Sequence, residues 1–292
     1  MSQLFKLDQR DWGEASPTAM MLRAQSALES GDVVFCSGLT FAIEPAEQVL
    51  FAPAILSDSR KNTSYDVARD RLGGTKVAGA EAALLRALMR RFSDSSALLI
   101  NRLFPVYQQD VVRGRASFRP AEIAGRVSSW RKDDTRLHVD AFPATPSGGK
   151  RILRVFANVN PAGRPRAWRI GDDFEAMARR FADRLRVPPP GAGALLSLIR
   201  VTKTPRSRYD SLMLQLHDRM KQDAAFQTES LQTAVEFPAG STWMAFTDQV
   251  AHAAMSGQYQ LEQTFLLPVA AMREPARSPL RVLERIKGQK LA

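Results

Sequence analysis

Three histidines occur in the 292 residues, at 138, 217 and 252, so every imidazole that could hold a metal or move a proton can be taken in turn. His138 lies in LHVDAF, two residues before Asp140. Residues i and i+2 of a strand project from one face, so this pair would point together into whatever cavity that face lines. His252, in DQVAHAA, offers a third donor from a distant strand. Two imidazoles and one carboxylate on one side of an ion leave three positions open, a set that suits Fe(II) in oxygenases. An HxD tripeptide is common by chance, and the competing reading is an ordinary pair of core or surface residues. Context favours the metal. A Pro/Gly loop (AFPATPSGG) and an apolar strand (RILRVFANVN) follow His138 and Asp140, and the strands STWMAFTD and QLEQTFLLP flank His252. His217 sits inside an amphipathic helix beside Asp218 and reads as structural.

Other catalytic arrangements lack their residues. There is no GxSxG for a serine nucleophile, and no GxxxxGK[ST] or GxGxxG to cradle nucleotide phosphates. The single cysteine, Cys36, has no histidine near it in sequence and reads as a small buried hydrophobe. One thiol also excludes a disulfide framework and any cysteine-rich zinc or iron–sulfur site. Forty-one Lys+Arg against thirty Asp+Glu give a net charge of +11, which favours partners carrying phosphate or carboxylate. These bases are spread along the chain without a nucleic-acid-binding signature, so no nucleic acid is expected. The stretch MSQLFKLDQRDWGE lacks the apolar block of a signal peptide. Uncharged stretches such as 187–199 carry prolines and fall short of a bilayer's thickness, so no transmembrane segment is expected. The expected setting is cytoplasmic, with at most peripheral attachment to a membrane, and oligomeric state stays open.

The elements that must position these donors follow from periodicity. Residues 17–30 and 78–92 read as helices, the second with Leu84, Leu85, Leu88 and Met89 on one face. An extended stretch is expected at 33–43 and a polar loop at 57–75. Short apolar or alternating runs predict strands over 98–103, 106–112, 127–131, 137–140 and 151–159. Helices are expected over 171–186, where Asp172 and Asp173 suit a helix start, and over 208–222. Strands return at 231–237, 241–246 and 260–267. The whole is read as one α+β domain, residues 1–292. Its parts are a mixed N-terminal region (1–96), sheet strands (97–160 and 231–268), a helical insert (161–230) and a tail (269–292).

HVD at 138–140, the glycine-containing loop, RILRVFANVNP and FPAGSTWMAFTDQVAH resemble the iron(II)/2-oxoglutarate-dependent dioxygenases of the double-stranded β-helix (jelly-roll, cupin-like) fold. The segments INRLFPVYQQDVVRGRASFRP and SSWRKDDTRLHVDAFP are similar to those of the bacterial Kdo (3-deoxy-D-manno-oct-2-ulosonic acid) hydroxylases. That resemblance implies a jelly-roll core with flanking helices, and hydroxylation of C3 of Kdo on Kdo-bearing lipid A precursors at the inner membrane surface. It implies Fe(II), O2 and 2-oxoglutarate, which is decarboxylated to succinate and CO2, with ascorbate as the assay reductant. Carried over by position, it makes His138, Asp140 and His252 the iron ligands.

One departure stands out. Many members of the superfamily place Arg or Lys some nine to twelve residues after the distal histidine to hold the far carboxylate of 2-oxoglutarate, whereas here Leu261, Glu262, Gln263 and Thr264 stand there. Some relatives use a base from the strand after the HxD loop. Alternation puts Arg154 deep on one face of that strand, so Arg154, then Arg151, are the expected cosubstrate residues, with a structural ion pair as the competing reading. Among the arginines of VVRGRASFRP and SSWRKDDTR, Arg119 and Arg131 are the expected substrate contacts. Alternatives keep the chemistry but change the substrate to a protein side chain or nucleobase, or make the protein a noncatalytic cupin-like binder of anions.

Overall fold

In a computed structural model, which describes residues 3–58, 60–198 and 202–292, the apolar runs form two sheets. Along the chain come β1 (Leu4–Lys6), α1 (Thr18–Ser30), β2 (Val33–Cys36), β3 (Thr63–Asp66), β4 (Arg71–Gly73), α2 (Gly79–Leu103), β5 (Val112–Arg119), β6 (Arg151–Asn158) and β7 (Arg166–Ile170). Then follow α3 (Phe174–Phe181), α4 (Ala192–Leu198), α5 (Arg208–Gln222), α6 (Ala224–Glu229), β8 (Thr233–Phe237), β9 (Thr242–Phe246), β10 (His252–Ser256), β11 (Gln260–Leu267) and α7 (Pro279–Lys287). The large sheet runs β1-β2-β9-β6-β11-β5-β3-β4 and the small one β10-β7-β8. Apart from the parallel β1–β2 pair, neighbouring strands are antiparallel. This is a mixed fold with a jelly-roll core.

Strand β6 shows what each face of the large sheet does. Leu153, Val155 and Ala157 join the main core with Leu88, Phe92 and other side chains of α2. Phe156, on the opposite face, belongs to a second cluster with Trp168, Ile170, Val235 and Phe237 of the small sheet. Trp243 of β9 closes that cluster, stacked on Phe237 with ring centroids 4.0 Å apart. Arg154 shares the face of Phe156 and therefore projects between the sheets, whereas Arg151 projects from the other face.

Several expected strands are not strands. Residues 98–103 continue α2, because a short apolar run has no period of its own and the helix before it carries through. Residues 106–112 are mostly a 3-10 turn and loop, and 127–131 form a loop ending in the 3-10 turn Trp130–Lys132. Strand β5, unexpected as such, buries Ala116 and Phe118 on one face and carries Arg113, Arg115 and Arg119 on the other. The polar loop at 57–75 contains β3 and β4, and the N-terminal region supplies four strands of the large sheet. The helical insert opens with β7, the central strand of the small sheet. By contrast, 208–222 coincides with α5, whose Ser207 and Asp210 form a reciprocal cap.

Candidate metal centre

Local backbone pairing brings the three donors together. Residues 137–140 form no full strand; instead His138 and His252 exchange backbone hydrogen bonds, His138 N to His252 O at 3.0 Å and His252 N to His138 O at 2.9 Å. On the other side Gln227 of α6 serves as a side-chain strand partner, accepting from Leu137 N at 2.7 Å and donating to Leu137 O at 2.9 Å. Asp140 N donates to Thr247 O at 2.7 Å. Gly171 lets the end of β7 approach closely, since a Cβ there would lie 2.8 Å from Leu137 Cδ2. With the chain so pinned, one donor atom from each of His138, Asp140 and His252 falls within 4.8 Å of the others.

The donor set fits a divalent ion. His138 Nδ1 donates to Arg136 O at 2.7 Å and His252 Nδ1 to Val250 O at 2.9 Å, which fixes the tautomer and turns each Nε2 toward the common point. Burial first, and then each other's nearness and that of Lys221, hold His138 well below the ordinary histidine range. Burial likewise lowers His252 against the pull of Asp140. Burial would raise Asp140, but Arg154, followed by the two imidazoles, holds it far below the usual carboxylate range. Its Oδ2 is buried without a hydrogen-bond partner, although Arg154 Nη2 lies 3.1 Å away. Two neutral imidazoles and one ionised carboxylate are ready to coordinate without losing protons. Trp168 stacks on the His252 ring, and His217 stands edge-on to His138 at 5.3 Å.

Behind the ligands runs a chain of alternating charges. Arg154 Nη1 donates to Glu262 Oε1 at 2.6 Å, and Glu262 Oε2 accepts from Arg119 at 3.1 Å. Asp134 follows, 3.8 Å from Arg119 and 3.0 Å from Lys61. Those two cations outweigh burial and hold Asp134 at about 2. Arg154 Nε is buried and unpartnered. Arg166 of β7 is 2% exposed, donates from Nη1 to Gly257 O at 2.6 Å and has no partner for Nε. Burial, reinforced by Arg119, pulls it down to about 9. Gly257 (φ 112°) makes its seat, since a Cβ there would stand 2.9 Å from Arg166 Cδ.

The sequence-predicted bases therefore separate. Arg154 stands beside the three donors, and Arg119 is two links away through Glu262. Arg131 lies outside, over the Trp130 ring and 3.2 Å from Asp218. Arg151 is corrected: fully buried on the opposite face of β6, it spends its guanidinium on Asp248 at 2.8 Å and Gln249 at 2.6 Å, over the Phe246 ring. Its guanidinium is thus held on the face of β6 opposite Arg154, away from the three donors. Sequence reasoning did not single out Arg166, Glu262 or Lys221, which lie around the three donors, nor foresee that His217, read as structural, meets the His138 ring. The spacing of His217 and Lys221, four residues apart on one helix, was the available signal for the last two.

A family model described as 3-deoxy-D-manno-oct-2-ulosonic acid (Kdo) hydroxylase matches residues 11–290. A solved structure of the Kdo hydroxylase KdoO, a non-heme Fe(II) and α-ketoglutarate-dependent dioxygenase in complex with α-ketoglutarate and Fe(III), is 44% identical. It covers 100% of this chain and 98% of its own, with a TM-score of 0.96. KdoO with succinate and Fe(III) is likewise 44% identical, covering 99% and 97%, at a TM-score of 0.95. No curated protein matches the chain.

Proposed function

Because the chain belongs to the Kdo hydroxylase family, we propose that it hydroxylates C3 of Kdo on Kdo-bearing lipid A precursors, with His138, Asp140 and His252 holding the iron. It is an Fe(II)/2-oxoglutarate-dependent dioxygenase that acts on a Kdo-containing substrate. The observation that carries the ligand assignment is the convergence of the three donors, each imidazole already turned by a backbone carbonyl.

When bound, iron and 2-oxoglutarate supply dioxygen activation coupled to oxidative decarboxylation of the cosubstrate to succinate and CO2. The chain's own residues bind and orient. Asp140 contributes the only ligand charge, and Arg154 stays close enough to keep it ionised. Arg154, through its free Nε, and Arg166, which has no carboxylate partner, are proposed to receive the far carboxylate of 2-oxoglutarate. Glu262 sets the angle of Arg154 from behind. Trp168, against the His252 ring, and Trp243, which stacks on Phe237, wall the inner face and keep water out.

The protein is proposed to work in the cytoplasm, where 2-oxoglutarate and reduced iron are available, at a membrane surface that presents its substrate. No helix among the described residues is long and apolar enough to cross a membrane. The test is succinate formation from Fe(II), ascorbate and 2-oxoglutarate, with and without a Kdo-bearing lipid A precursor, followed by mass spectrometry of the sugar. Succinate that depends on the acceptor, with one oxygen added at C3, is expected. Turnover without oxygen transfer to Kdo would overturn the substrate, and loss-free activity after removal of any of the three ligands would overturn the site.

A further inference from the structure

Lys221 brings to the centre a buried charge that, among the described residues, has no carboxylate in direct contact. It lies in the last turn of α5, four residues after His217, whose ring meets the His138 ligand edge-on. The residue is 2% exposed. Its Nζ makes one hydrogen bond, to Arg131 O at 3.1 Å, and among the described residues no carboxylate lies within ion-pair distance. An ammonium carries three donors, and a buried one without a counter-charge is unfavourable unless something arrives to meet it. Burial depresses its proton affinity, and its charge is felt at both His138 and His252.

The other basic groups around the donors are accounted for. Lys61 has Asp134, Arg119 has Glu262, and Arg154 has Glu262 and Asp140. Among the described residues two buried cations have no carboxylate within ion-pair distance: Arg166 on the small sheet and Lys221 on α5. Besides the cosubstrate carboxylate next to the keto group, the reaction brings two more, the far carboxylate of 2-oxoglutarate and the one on the sugar. A 3-deoxy-2-ulosonic acid carries its carboxylate on C1, two bonds from C3, so gripping that group fixes the reacting carbon.

We propose that Lys221 is the substrate-binding residue that takes the C1 carboxylate of Kdo and so positions C3 against the metal centre. The proposal rests on the Kdo reading above. It gives the helical insert a role in recognition, with the Arg131 carbonyl holding the ammonium in place until the sugar arrives.

The experiment crosses two enzymes with two substrates: wild type and Lys221→Gln, each with a Kdo-bearing lipid A precursor and with its C1 carboxamide. In wild type the amide is expected to raise KM at least about tenfold, because a site built for one polar group rejects its isostere. In Lys221→Gln the carboxylate substrate suffers a rise of similar size, and the further penalty for the amide shrinks to less than about threefold. Lys221→Arg restores discrimination in part, and the anaerobic Kd for 2-oxoglutarate in Lys221→Gln stays at the wild-type value. Equal amide penalties in wild type and variant overturn the proposal while leaving the Kdo reading intact. A wild type that oxidises neither sugar overturns both. Should Lys221→Gln not fold, Lys221→Met is read in its place, with thermal unfolding confirming the native state.

Discussion

Glu262 Oε1 lies 2.6 Å from Arg154 Nη1, an acid clamping a base from the strand next door. In many resembling dioxygenases the stretch containing this position carries the base itself. Here the charges are exchanged between strands: β11 supplies the carboxylate, and β6 and β5 supply the guanidiniums that converge on it. The acid cannot hold 2-oxoglutarate, but it can aim the arginine proposed to do so.

Glu262→Gln is therefore expected to weaken 2-oxoglutarate at least about tenfold, since it frees Arg154 to turn toward Asp140. Anaerobic titration of 2-oxoglutarate into the iron-loaded variant measures this. An unchanged Kd would show that Glu262 serves stability alone.

Arg154 and Arg151 should fail differently. Arg154→Ala is expected to raise the Kd for 2-oxoglutarate by about tenfold or more, with folding largely kept. Arg151→Ala leaves Asp248 buried without its cation and should cost about 3–5 kcal/mol of stability, with 2-oxoglutarate affinity near wild type in the folded fraction. Denaturant unfolding beside ligand titration separates the two, and exchanged outcomes would place the cosubstrate on the wrong face of β6.

Replacing His138, Asp140 or His252 by Ala should abolish both iron binding and turnover. His217→Ala removes an edge contact and no donor, so iron affinity should stay within about tenfold of wild type. Metal content after dialysis checks all four, and an iron-free His217 variant would make it a fourth ligand.

The two ligand imidazoles titrate below the ordinary histidine value, so the unfolded chain gains protons at these positions first as pH falls below about 6.5. Stability of the metal-free protein is thus full above that value and is lost as pH falls toward the depressed folded values. Thermal unfolding between about pH 7 and 5 should show a shallower decline in His138→Gln than in wild type. An equal slope would mean that these groups do not govern acid sensitivity.

Where composition and spacing carried the structure, they did so through residues whose role is local. Ser207 and Asp210 announce α5 by capping it, and β11 turns Leu261, Phe265 and Leu267 into the core while Glu262 meets Arg154. The convergence of the three candidate donors was legible because HxD needs only a short local spacing and a distant partner. Strand β5 was not, since Arg113, Arg115 and Arg119 give a half-buried strand the look of surface. The segment 137–140 misled in the opposite way: Gln227 replaces a neighbouring strand by a side-chain amide, a pairing that no local pattern announces. Arg166 was hidden because its significance lies in a missing partner, which only packing reveals.

The reciprocal backbone bonds between His138 and His252 are made by the chain itself, without either side chain. Two of the three donors are thus spaced by folding rather than by coordination, and the centre is open to any divalent cation that accepts two imidazoles and a carboxylate. Affinity for such donors rises along the series from manganese through iron toward copper, with zinc also ahead of iron. The chain therefore does not choose iron by grip. Metal availability weighs beside the ligand set in deciding the occupant, and excess zinc or copper is expected to compete with iron for these three residues.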